Sequence, residues 1–168
     1  VMVFLLFGGE AQAHQTSLSY ISVADRGDEI IAEMKLSFLD LEVAAGVDQD
    51  FDGKITWGEA KASLDRLSAY AQSRTTMAAG GPCRLSRTSA APETLNGEGY
   101  LALRFHVACP DNTAPVQVQS SIFLEVDPTS RVLVSSRTGG DEQSYVLGIE
   151  QQRLTDATRP ADSVGKAA

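Results

Sequence analysis

The segment that most restricts what this chain can fold into is Asp48-Gln49-Asp50-Phe51-Asp52-Gly53-Lys54-Ile55-Thr56-Trp57-Gly58-Glu59. Aspartates stand at its first, third and fifth positions, so three carboxylates are crowded onto one tight turn. Such crowding is repulsive by itself and becomes favourable around a hard cation, which takes roughly six to eight oxygens at about 2.3–2.6 Å. Gly53 occupies the sixth position, where the chain must bend sharply and glycine bears the bend at least cost. Beyond the bend, the Lys54 carbonyl and Thr56, directly or through a water, extend the ligand set. Glu59 at the twelfth position closes it with both carboxylate oxygens. Ile55 is expected to point inward and anchor the turn to a core.

In this register the segment fills the twelve-position loop of the EF-hand type, and the expected ion is calcium, held by Asp48, Asp50, Asp52, Lys54, Thr56 and Glu59. A solvated acidic turn, with Glu59 serving only to cap a helix, accounts for fewer of these positions. The flanking pattern predicts a short helix over residues 41–46, capped by Asp40, and a longer one from Trp57 to about Arg74. The longer helix starts at a capping box, Thr56-Trp57-Gly58-Glu59, and carries an apolar stripe at Ala60, Leu64, Leu67 and Ala71. Trp57, in its first turn, reads as a core anchor more readily than as a ligand-stacking ring. Sensor proteins work by opening pairs of long helices, so a single loop with a short first helix points to a structural ion.

The rest of the chain reads as strands. Residues 16–23 and 29–39 form a candidate hairpin around Asp25-Arg26-Gly27-Asp28, with period-two alternation at Ile30, Ala32, Met34, Leu36 and Phe38. Further strands are expected near residues 83–88, 100–108, 116–126, 131–137 and 144–149. Turns at Asn96-Gly97, Asp127-Pro128 and Gly139-Gly140-Asp141 favour antiparallel neighbours. The expected fold is therefore mainly β, an antiparallel sandwich-like domain with an inserted EF-hand-like loop and one α-helix.

Residues 1–13 resemble the end of a secretion signal: an apolar run from Val1 to Phe7, a Gly8-Gly9 break, and Ala11-Gln12-Ala13 as a cleavage site that would leave His14 as the new N-terminus. The missing basic region predicts that the sequence begins inside that signal. A single calcium-binding domain is expected over residues 14–155 and a polar tail or linker over 156–168. Export to the periplasm or the extracellular face would let Cys83 and Cys109, the only two cysteines, pair across a loop of about 25 residues, worth about 3 kcal/mol. A formal net charge of −8 excludes a nucleic-acid partner and suits cations.

Ala13-His14-Gln15 with Ser19-Tyr20, the block from Asp40-Leu41 to Glu59 with its Ile55-Thr56-Trp57, and the cysteine pair together resemble the N-terminal extracytoplasmic domain of the HupE/UreJ-type bacterial membrane proteins. The resemblance implies that membrane-embedded helices of a longer protein are partners of this domain, and a link to nickel or another transition metal. His14 and His106, the two histidines, form the alternative site for nickel or copper, as a module feeding a transporter, although His106 reads as an exposed strand residue. A protein-interaction sandwich is the third reading. No small-molecule substrate or catalytic centre is indicated: a G-x-S-x-G nucleophile motif is absent, and His106 has no evident partner.

Overall fold

The computed structural model describes residues 17–151; the expected signal segment, His14, the domain end at residue 155 and the tail lie outside them. In chain order the elements are β1 (Leu18–Arg26), β2 (Glu29–Ser37), α1 (Phe38–Ala45), α2 (Trp57–Ala62), α3 (Leu64–Ser73), β3 (Thr75–Ala78), β4 (Arg84–Leu95), β5 (Glu98–Ala108), β6 (Gln117–Ser120), β7 (Arg131–Thr138) and β8 (Asp141–Leu147). Six strands make one sheet in the order β4-β5-β2-β1-β7-β8, and β3 pairs with β6 in a second. The mainly β class, with the loop and its helices inserted between β2 and β3, is the one the sequence implies.

Neighbours are antiparallel, as the turn residues predict, with one exception. β1 and β7 run parallel, from Leu18 facing Arg131 to Ala24 facing Arg137. A parallel pair needs a crossover connection, and here everything between β1 and β7 supplies it. Where turns are local they follow their chemistry: Asn96 and Gly97, at φ 52° and 85°, close the β4–β5 hairpin with the two positive φ values that a type I′ turn requires. Immediately beyond the Arg84–Ala108 pair at the open end of that hairpin, Cys83 and Cys109 form a disulfide.

Alternation sorts the large sheet into two faces. Ala32, Met34 and Leu36 on β2 and Leu101, Leu103 and Phe105 on β5 are fully buried, joined by Ile21 and Val23 on β1 and Val132 and Val134 on β7. Against this face pack Leu41 of α1, Leu67 and Ala71 of α3, Val118 of β6, and Ile122 and Phe123. Burying a large aliphatic or aromatic side chain contributes about 1.5–3 kcal/mol, so this layer is what positions the loop.

Several expected boundaries move, each for a local reason. Ser37, not Asp40, is the N-cap of α1, its side chain accepting from the Asp40 N–H at 3.5 Å, so the helix begins at Phe38. The single helix expected from Trp57 to Arg74 is broken at Ser63, whose hydroxyl takes hydrogen bonds from Gln49 (3.4 Å) and Arg66 (3.1 Å). Serine readily trades helical backbone geometry for such contacts. β3, which lies between the expected helix end at Arg74 and the strand expected from residue 83, buries Thr75 and Met77 in alternation. β4 runs on past residue 88 through a bulge between Arg87 and Ser89 and includes Pro92, tolerated because β4 is an edge strand. The strand expected over residues 116–126 ends at Ser120. The consecutive Ile122 and Phe123 are both fully buried, which a strand cannot do on one face, and Phe123 takes φ 62°. β8 begins at Asp141 and stops at Leu147, short of residue 149.

Candidate metal centre

Two helix ends hold the acidic loop. α1 stops at Gly46, whose φ of 61° is the left-handed geometry of a C-cap and whose N–H bonds the Glu42 carbonyl at 2.8 Å. The Glu42 carboxylate then accepts from the backbone N–H groups of Val47 and, at 2.7 Å, Asp48. Arg66, from α3, donates to the carbonyls of Ala45 and, at 2.8 Å, Gly46, satisfying acceptors that the end of α1 leaves open. Val47 is fully buried, and Ile55 and Trp57 pack partly buried against the core, so the loop is pinned on both sides. The far end is the expected capping box: Thr56 accepts from the Glu59 N–H at 3.3 Å, and Glu59 accepts from the Thr56 N–H at 2.8 Å and its hydroxyl at 2.7 Å.

Between these ends the chain turns around its own carboxylates. Asp48 accepts from the Gly53 N–H (2.8 Å), Asp50 from the Asp52 N–H (3.2 Å), and Asp52 from the Lys54 N–H (2.8 Å). Gly53 carries the φ of 80° that the bend demands. The result brings a carboxylate oxygen from each of Asp48, Asp50 and Asp52 within 4.8 Å of one another. Asp48 Oδ1 is buried there without a hydrogen-bond donor. Glu59 sits beside the group, its Oε1 accepting from the Gln49 N–H at 2.8 Å.

The charges register this crowding. The Asp52 N–H pulls the Asp50 carboxyl down, but the neighbouring Asp52 and Glu59 carboxylates, desolvation and Asp48 outweigh it, and the net shift is upward. Glu59 moves the other way, to about 2, held down chiefly by the Thr56 N–H, then by the Thr56 hydroxyl and the Gln49 N–H. Glu59 is thus an anion across the useful pH range; its Oε2 takes both the Thr56 N–H and the Thr56 hydroxyl, and its Oε1 takes the Gln49 N–H.

Of the six expected ligands, the structure joins Asp48, Asp50 and Asp52 in one group. It sets Glu59 next to them and commits the Thr56 hydroxyl to the capping box. Lys54 lies exposed in the loop with its N–H on Asp52. The sequence reading missed Glu42 and Arg66, the two residues that fix the loop's start. Glu42 carried a local signal, an acid four residues before a glycine C-cap; Arg66 carried none, because only the fold brings α3 to the end of α1. His106 falls on the outer face of the large sheet, paired across strands with Ile31 and Ser86. Among the described residues, no helix is long and apolar enough to cross a membrane. The chain matches no model of a known protein family, and no curated protein matches it.

Proposed function

We propose that this chain is a calcium-binding domain in which the ion is structural: it locks the loop of residues 48–59 between α1 and α2. The observation that carries this reading is the Asp48 carboxylate, which has Oδ1 buried without a donor and an oxygen within 4.8 Å of two further carboxylates. Burying a carboxylate oxygen without a donor is costly, and a cation at that point removes the cost. Oxygen-only donors on a tight turn suit calcium rather than the softer transition metals, which prefer nitrogen and sulfur. The eight residues of α1 and six of α2 are too short to act as the levers of a sensor.

The Cys83–Cys109 disulfide supports an oxidising compartment, and hence the exported, periplasmic or extracellular location that the N-terminal segment implies. We place the domain there as a non-enzymatic module, the extracytoplasmic part of a HupE/UreJ-like membrane protein. Calorimetric titration tests the site. Calcium should bind once, with a dissociation constant near the 10⁻⁴–10⁻³ M of extracellular modules, more tightly than magnesium. Asp48→Ala and Asp52→Ala should each abolish the heat. Binding of nickel or copper, but not calcium, would favour a transition-metal module instead.

A further inference from the structure

The outer face of the large sheet, turned away from the helices, is hollowed. Cross-strand pairing places Lys35, Tyr20, Leu133 and Val146 in one row across β2, β1, β7 and β8, and Glu33, Ser22, Ser135 and Ser144 in the next. The three serines stand lower than their neighbours, and a cleft of about 610 Å³ opens over them, walled by Tyr20, Leu133, Val146 and by Leu95 from the end of β4. Ser22 and Glu33 also border a second hollow of about 370 Å³, floored by Ala24 and Ile31 and flanked by Arg26 and Arg104. The two hollows adjoin at Ser22 and Glu33 along one trough, the first mainly apolar with Lys35 at its edge, held by Glu93 at 2.7 Å, and the second flanked by the two arginines.

The basic end stands out in a chain of net charge −8. Arg26 makes no ion pair among the described residues. Arg104 gives only its Nε to Glu33, at 2.6 Å, so both terminal guanidinium nitrogens are uncommitted among the described residues. Glu33 is engaged further by Lys35 at 3.4 Å, so it braces Arg104 and Lys35 rather than standing as a free negative charge. A guanidinium held from behind in this way presents the planar fork that matches a carboxylate.

We propose that this trough binds a free single-chain amphiphilic anion of the fatty-acid type, its carboxylate between Arg26 and Arg104 and its chain over Tyr20, Leu133 and Val146. Charge complementarity fixes the head and the apolar row fixes the body. A bare oxyanion would leave the apolar end wet, and a neutral chain would leave the arginines unanswered. Four strand spacings separate β5 from β8, roughly 19 Å, and the reach of Arg104 shortens what the ligand must span, which suits a medium-length chain.

The test uses the full chain with decanoate below its micelle concentration, beside decanol and inorganic phosphate, followed by calorimetry and by amide chemical shifts. Decanoate should bind saturably, at least tenfold more tightly than either control, and shift Ser22, Ala24, Ile31 and Ser135. Arg26→Gln with Arg104→Gln should weaken decanoate at least tenfold and leave decanol unchanged. Arg26→Gln alone, at a residue without an ion pair, should give a smaller loss in a protein of unchanged melting temperature. Leu133→Asn should weaken decanoate and decanol alike. Phosphate binding as tight as decanoate, equal binding by the double variant, or shifts confined to α1 and α3 would each overturn the proposal.

Discussion

Removing the disulfide gives a prediction whose size follows from the topology. Cys83 and Cys109 are 26 residues apart and close the β4–β5 hairpin at its open end. The chain-entropy relation for a loop of that length gives about 3.5 kcal/mol at 25 °C. Because β5 lies second in the sheet order, with its inner face in the core, the native hairpin should survive in Cys83→Ser/Cys109→Ser. The loss should then appear as stabilisation of the unfolded state. Urea unfolding should show a midpoint lowered by a destabilisation of about 2–3.5 kcal/mol, and heat a melting point lower by roughly 4–14 °C for a domain of this size. Wild-type protein under a strong reductant should reproduce the double variant. A destabilisation below about 1 kcal/mol, or two titratable thiols in the oxidised native protein, would refute the reasoning.

The remaining predictions concern the loop and one half-buried acid. Arg66→Met removes the donors to the Ala45 and Gly46 carbonyls without touching a proposed ligand, and should weaken calcium about tenfold in calorimetry, the low end for losing a supporting contact. Gly53→Ala forces a side chain onto φ 80° and should lower both calcium affinity and stability, by about 1 kcal/mol in chelator. Burial raises the Asp40 pKa against hydrogen bonds from the Ser17 and Ser37 hydroxyls. Its folded-state pKa therefore lies above its unfolded one, and its ionisation opposes folding as pH rises through that window. Asp40→Asn should be more stable than wild type at pH 7 and lose the advantage below the unfolded aspartate value of about 3.9, as read by urea midpoints across pH.

What was legible in the sequence is what local chemistry decides. The loop was readable because ligand spacing, Gly53 and the Thr56–Glu59 capping box are all set within twelve residues. The hairpin turns at Asn96-Gly97 and Gly139-Gly140 were readable because few residue pairs accept two positive φ values. What failed depended on partners distant in sequence. Nothing near Leu18 or Arg131 announces that β1 and β7 pair in parallel. β3 is four residues long and exists through β6, which itself stops where Ile122 and Phe123 must both enter the core. The supports at the metal centre divide the same way: Glu42 acts on its own loop, whereas Arg66 acts across from another helix. Phe51, 87% exposed in the left-handed region at φ 60°, stands at the loop's tip.

Thermal unfolding with and without calcium tests the central claim most directly. If the ion is structural, calcium at one hundred times its dissociation constant should stabilise the protein by about 2.7 kcal/mol, raising the melting temperature by roughly 5–10 °C. Asp48→Ala and Glu59→Ala should melt at the same temperature with and without it. An unchanged melting temperature for wild type at saturating calcium, or an equal rise in the two variants, would contradict the account.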